Sequence, residues 1–309
     1  MSDKEIISWL LEGDVSIQYQ TYRDLLDTEK PELQKRIETE GWGLQFLKQR
    51  NTNGHWGKGF YQPKWISSHY TLLDLKYLGI SPGNQPAGQT IQIILQNSKG
   101  NDGGITASHS GRPSDVCING MFLNYACYFR ANETALHSVV DFLLAQKMND
   151  GGFNCQSNQQ GCVHSSLHTT LSVLEGIHEY EKNGYTYRLK ELKQSESTSR
   201  EFILMHHLFK SDKTGKIINP NFLKLRYPGR WFYNVLKAMD YFQSAKTPYD
   251  KRMDEAIAYL FEKRTKEGFW KLTSGHSGLV HFEMEQAGKP SRWNTLRAMR
   301  VLKQYQRVG

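Results

Sequence analysis

Asp115, Cys117 and His164 are the side chains whose types and spacing point most directly to chemistry. Two copies of one unit carry them: Gly103-Gly104-Ile105 leading to Asp115-Val116-Cys117-Ile118, and Gly151-Gly152-Phe153 leading to Cys162-Val163-His164-Ser165. Cys117 lies 13 residues beyond Gly104 and His164 lies 12 beyond Gly152, so this count puts the thiol and the imidazole in one column of consecutive repeats. Repeats stacked side by side would then bring a carboxylate, a thiolate and an imidazole together, three ligand types that suit a zinc ion with one position open. The same residues also read as an N-capping aspartate, a buried thiol and a histidine at a helix end, and capping does not exclude ligation.

The elements that must position these groups are helices. Apolar residues recur at helical spacing from about Glu5 to Leu26 and again from Lys30 to about Arg50, and residues 1–40 read as an N-terminal helical cap. One pattern then repeats: an apolar helix, a polar turn with glycine, an aromatic or apolar residue, a loop, and a second helix rich in small and apolar residues. The turn glycines are Gly54, Gly103, Gly151, Gly215 and Gly268, with the fourth copy the loosest. The extra length before that copy falls in 179–199, a charged, serine-rich stretch that reads as a surface insertion. Val/Ile-rich alternating runs bounded by turns are lacking, so a sheet has no obvious place.

A helix pair of this length cannot bury its apolar face alone, so the pairs must stack. Among their residues the second helices carry Trp65, His69, Met121, Phe122, His168 and Trp231, which suits the inner wall of a ring around a cavity. The expectation is therefore an all-α, single-domain (α/α) toroid of about five helix pairs over residues 1–309.

Lys+Arg 39 against Asp+Glu 31 gives a net charge of +8, which favours acidic partners without choosing among them. Basic residues are scattered and no nucleic-acid motif occurs, so nucleic acid is not expected as a partner. The N-terminal residues lack a long apolar run, and with a mean hydropathy of −0.62 they predict a cytoplasmic protein without a membrane span. Four cysteines in this length do not make a disulfide framework.

The repeats resemble those of protein prenyltransferase β subunits and of squalene and oxidosqualene cyclases, through Asp102-Gly103-Gly104-Ile105, Asp150-Gly151-Gly152-Phe153 and Glu267-Gly268-Phe269-Trp270. The resemblance covers roughly residues 42–305 and implies the toroid. It is closest to the prenyltransferases at Asp115, Cys117 and His164, which take the places of that family's zinc-binding aspartate, cysteine and histidine. Arg112 and His109, three and six residues before the aspartate, take the places of residues that bind the prenyl diphosphate. What this implies is zinc-dependent transfer of an isoprenoid from a prenyl diphosphate to a thiol or other acceptor.

The chain also departs from that family. Ile118 stands where a diphosphate-binding tyrosine follows the cysteine, Gln62 falls near the place of an expected histidine, and five repeats replace six. The catalytic lysine of the family's α subunit has no evident replacement. The Asp-x-Asp-Asp proton donor of the cyclases is missing. These departures favour a second reading, a non-catalytic toroid that binds an apolar ligand or a partner protein in its cavity.

Several other polar residues need a place. Histidines at helical spacing on apolar faces, such as His69 and His168, are more often hydrogen-bonded lining residues than ligands. Cys127 sits in an apolar helix and reads as structural, while Cys155 and Cys162 flank a polar loop and read either as further ligands of the metal site or, in preference, as loop or lining residues. Pro290-Ser291 signals a helix start, and His281, Glu283 and Arg292 would sit near a cavity mouth where the C-terminal segment closes against the first repeat.

Overall fold

The computed structural model describes residues 2–107, 112–155 and 162–305, and these are mostly helical. In chain order the helices are α1 (Asp3–Leu11), α2 (Val15–Leu25), α3 (Pro31–Arg36), α4 (Gly41–Lys48), α5 (Ser68–Leu78), α6 (Gln85–Asn97), α7 (Val116–Tyr128), α8 (Glu133–Ala145), α9 (Leu167–Lys182), α10 (Leu189–Met205), α11 (Val235–Ser244), α12 (Asp254–Lys263) and α13 (Arg292–Tyr305). A two-residue antiparallel ladder pairs Trp270–Lys271 with Pro290–Ser291. Among the described residues no helix is long and apolar enough to cross a membrane.

The chain forms two compact units, one of residues 1–48, 77–81 and 204–309, the other of residues 49–76 and 82–203. In the first, each long apolar run near the N-terminus is broken into two helices. Asp14 ends the first run by capping α2 at the Ser16 N–H (2.9 Å), and the same carboxylate accepts from the Trp42 N–H at 2.8 Å. Gly41, at φ +58°, starts α4 where an added Cβ would lie 2.0 Å from Asp14 Oδ2. The two ends of the chain meet in this unit. Helix α13 begins at the expected Pro290-Ser291 signal, with Ser291 Oγ accepting from the Asn294 N–H at 2.9 Å, and packs against α2 and α11. Its Arg297 and Arg300 converge on the half-buried Asp240 of α11, and Arg300 also reaches Asp24 of α2 at 2.7 Å.

Four of the five glycine turns share one hydrogen-bond pattern. Asn51, Gly100, Met148 and Thr265 each donate an N–H to the carbonyl four residues on, at 2.8–3.0 Å, and accept from the turn glycine three residues on, at 2.9–3.1 Å. Those glycines, Gly54, Gly103, Gly151 and Gly268, have φ between +83° and +101°, which an L side chain rarely adopts. Two residues after each glycine stands a buried Trp56, Ile105, Phe153 or Trp270. The N–H of each donates to a side chain in the first turns of the next helix: Ser68 (3.0 Å), Asn119 (2.6 Å), Thr170 (3.0 Å) and Thr295 (3.1 Å). The fourth turn is a residue longer, closed by Ser211 and Lys216, and its Ile217 is exposed.

The stretch 179–199 is not an appended loop. Helix α9 runs through Lys182 and α10 resumes at Leu189. Glu179 and Glu196 are buried and paired, the first with Lys76 at 3.1 Å and the second with Arg200, beside buried Ser195 and Ser199, whereas Lys182, Arg188, Lys190, Glu191 and Lys193 are exposed. Local charge density imitates a solvated loop when acidic residues find cations across a helix interface.

Candidate active site

Helices α7 and α9 of the second unit cross at unusually short range. A Cβ on Gly120 would lie 2.7 Å from the backbone of Ser172 and Val173, and one on Gly176 would lie 2.5 Å from the Gly120 carbonyl oxygen. The approach is held by buried Ile118, Met121, Phe122 and Tyr125 on α7 and Leu171, Val173 and Leu174 on α9. It fixes the N-terminal turns of the two helices beside each other.

The hydrogen bonds at these turns set the register of the repeats. In the second copy Asp102 accepts from the Ser114 N–H and Oγ (both 2.7 Å); in the third, Asp150 accepts from the Ser165 N–H at 2.7 Å and from its Oγ. The Ile105 N–H reaches Asn119, 14 residues on, and the Phe153 N–H reaches Thr170, 17 on. Ser114 therefore matches Ser165 and Asn119 matches Thr170. Two residues before these partners stand Cys117 and His168, so His168, not His164, shares the column of Cys117. The count from the glycines slips because the third loop is longer. His164 is exposed ahead of α9, where its carbonyl accepts from Asn154 Nδ2 at 2.8 Å.

What Cys117 meets is a second cysteine. Its N–H, in the first turn of α7 where no intrahelical partner is available, donates to Cys155 Sγ at 3.1 Å. Thr169 Oγ1 accepts from the Cys155 N–H at 3.2 Å and donates to the same sulfur at 3.4 Å. The Cys117 thiol also hydrogen-bonds Cys155, which raises the Cys117 pKa, with burial adding to it, and lowers that of Cys155 against the opposing effect of burial. Cys155 is thus the more acidic thiol of the pair. Asp115 holds the N-cap position of α7, but among the described residues its side chain makes no capping hydrogen bond. Burial raises its pKa while Lys64 opposes the rise.

Two further groups face this cluster. Burial lowers the Lys64 pKa, opposed by the negative charges of Cys117 and Asp115. Burial pushes Tyr61 up to about 12, and Cys117, Asp115 and Cys155 add to that shift. Tyr61 begins an aromatic wall: its hydroxyl lies 3.2 Å from that of Tyr70, and Trp65 meets Tyr70 edge-on at 5.0 Å. Buried His69 packs against Phe60, Tyr61 and Tyr70, with Nδ1 3.2 Å from the Tyr125 hydroxyl, and burial lowers its pKa to about 3. Its imidazole is therefore neutral.

The other expected residues are dispersed. Arg112 is exposed just before α7, and His109 lies outside the described residues. Met121 and Phe122 are buried in the α7–α9 packing, and His168 is half-buried in the first turn of α9. Trp231 belongs to the first unit, stacked on Phe232 at 4.1 Å. Arg292 is a tie within that unit, lying over the Trp9 ring at 4.5 Å and donating to the Trp9 carbonyl. His281 meets Phe46 edge-on, Glu283 is exposed, Cys127 is buried in α7 and Cys162 Sγ approaches the His164 carbonyl.

No family model and no curated protein matches the chain. Among the described residues no group of three or more His, Cys, Asp or Glu side chains is arranged to hold a metal ion. The donor types gathered at the starts of α7 and α9, a carboxylate and two thiols with an imidazole in the matching column, nevertheless suit a zinc-class ion.

Proposed function

We propose that this chain is a prenyltransferase-like enzyme whose helix pairs close as an (α/α) toroid, and that it joins an isoprenoid from a prenyl diphosphate to a thiol in the cytoplasm. The observation that carries the proposal is the shared register of α7 and α9, which aligns Cys117 with His168 while Asp115, two residues earlier, leaves its carboxylate uncommitted to capping. Asp115, Cys117 and His168 are the residues that would hold zinc. When bound, zinc lowers the pKa of a substrate thiol so that the thiolate is present at neutral pH.

The chain's own residues supply the rest. Lys64, within electrostatic reach of Asp115 and Cys117, and Arg112 just ahead of α7 provide positive charge for a diphosphate leaving group. The rings of Tyr61 and Trp65, backed by buried Tyr70, offer apolar surface to an isoprenoid and electron-rich faces to an allylic cation. The neutral His69 behind it adds no positive charge to oppose that cation. The test is incubation of the full chain with labelled prenyl diphosphates of graded length and thiol acceptors, following thioether formation and diphosphate release. The proposal expects turnover that Cys117→Ser abolishes. Tight binding of the prenyl group without turnover would instead identify a non-catalytic ligand-binding toroid.

A further inference from the structure

We infer that Cys155 is a second sulfur ligand of the same ion, so that the metal site is built on the Cys117–Cys155 pair and not on one cysteine. This deepens the zinc reading above and rests on it. The sulfur of Cys155 is fixed in place: the Cys117 N–H donates to it at 3.1 Å and the Thr169 hydroxyl at 3.4 Å, and Thr169 also holds the Cys155 N–H at 3.2 Å. Backbone N–H and hydroxyl donors aimed at a sulfur are what a ligating thiolate requires around it, because they orient the ligand and offset its charge. An inert core thiol such as Cys127 sits in apolar packing.

Donor type supports the same conclusion: the start of α7 brings together the Cys117–Cys155 sulfur pair and the Asp115 carboxylate, which makes no capping hydrogen bond among the described residues. Two sulfurs select a borderline-soft ion of the zinc class over magnesium or calcium. His168 in the matching column and Asp115 would be the further donors, and a substrate thiol would enter by replacing one of them; Asp115, the hardest of these donors and the most exposed, is the one to give way.

The full chain, purified without a metal-binding tag and stripped of metal, is titrated with cobalt(II), whose near-ultraviolet thiolate charge-transfer band grows with the number of sulfurs bound. The wild type shows the band, Cys155→Ser and Cys117→Ser each lose about half of it with cobalt binding at least about tenfold weaker, and Cys162→Ser retains it. Should a serine variant fail to fold, thiol alkylation of the wild type read by mass spectrometry decides: zinc protects Cys117 and Cys155 together and leaves Cys162 unchanged. A full band in folded Cys155→Ser, or zinc protection of Cys117 alone, overturns the role of Cys155 and leaves the zinc reading standing. Absence of cobalt and zinc uptake by the wild type overturns both.

Discussion

Replacing Gly120 by alanine tests the helix crossing that fixes the site. In a helix interior alanine is favoured over glycine by about 1 kcal/mol, so propensity alone predicts stabilisation. The new methyl, however, would lie 2.7 Å from three backbone atoms of Ser172 and Val173. Backbone cannot rotate aside as a side-chain tip can, so α7 and α9 must separate. A gap of about 0.5–1 Å along a packed row forfeits roughly a quarter to a half of each dispersion contact, and overpacking of this kind costs about 1–3 kcal/mol, at times more. The upper end applies because the row includes fully buried Phe122, Met121 and Val173. Subtracting the propensity gain leaves a net loss of about 1–2 kcal/mol. Gly88 in α6 provides the counterpart, since nothing lies within 4 Å of its added Cβ; Gly88→Ala should gain about 0.5–1 kcal/mol. Urea unfolding followed by far-ultraviolet circular dichroism should move the two midpoints in opposite directions. Gly120→Ala as stable as the wild type, beside a stabilised Gly88→Ala, would refute the close crossing.

Two more perturbations have signs fixed by the structure. Burial raises the Asp240 pKa, but Arg300 and Arg297 outweigh it and hold the carboxyl near about 2, below its ordinary 3.8; its contribution is therefore present above pH 4 and lost as pH falls toward 2. Asp240→Ala should destabilise by about 3 kcal/mol at neutral pH and flatten acid unfolding over that window, and an unchanged urea midpoint would contradict the network. Burial holds His69 neutral down to about pH 3, so its ring protons should show no titration by NMR between pH 8 and pH 5, and the unfolded chain, protonating near 6.5, should gain on the folded state as pH drops through that range. A midpoint near 6.5 in the folded protein would show the ring to be solvated.

The helical class was legible because apolar residues at helical spacing and glycine turns are local features. Four turns fold identically because Gly54, Gly103, Gly151 and Gly268 alone tolerate the positive φ there, and the fourth copy reads as loose because its closure has an extra residue. The site was only half legible. Asp115 and Cys117 stand together at one helix start, but the third column was misassigned because the glycine count ignores loop length. The better marker was serine: Ser114 precedes Cys117 by the same three residues as Ser165 precedes His168. Cys155 was legible only as a loop cysteine that could join the metal site, and its pairing with Cys117 was not, since that link spans 38 residues and depends on the α7–α9 approach. The burial of Glu179 was illegible for the same reason, with its partner Lys76 supplied from α5.

The most direct test of the central claim is elemental analysis of the full chain purified without a metal-binding tag, beside Cys117→Ala. A metal-centred thiol site predicts about one zinc per chain in the wild type and its loss in the variant. Wild-type protein that is folded yet free of zinc, and that takes none up from a buffered zinc solution, would contradict the account.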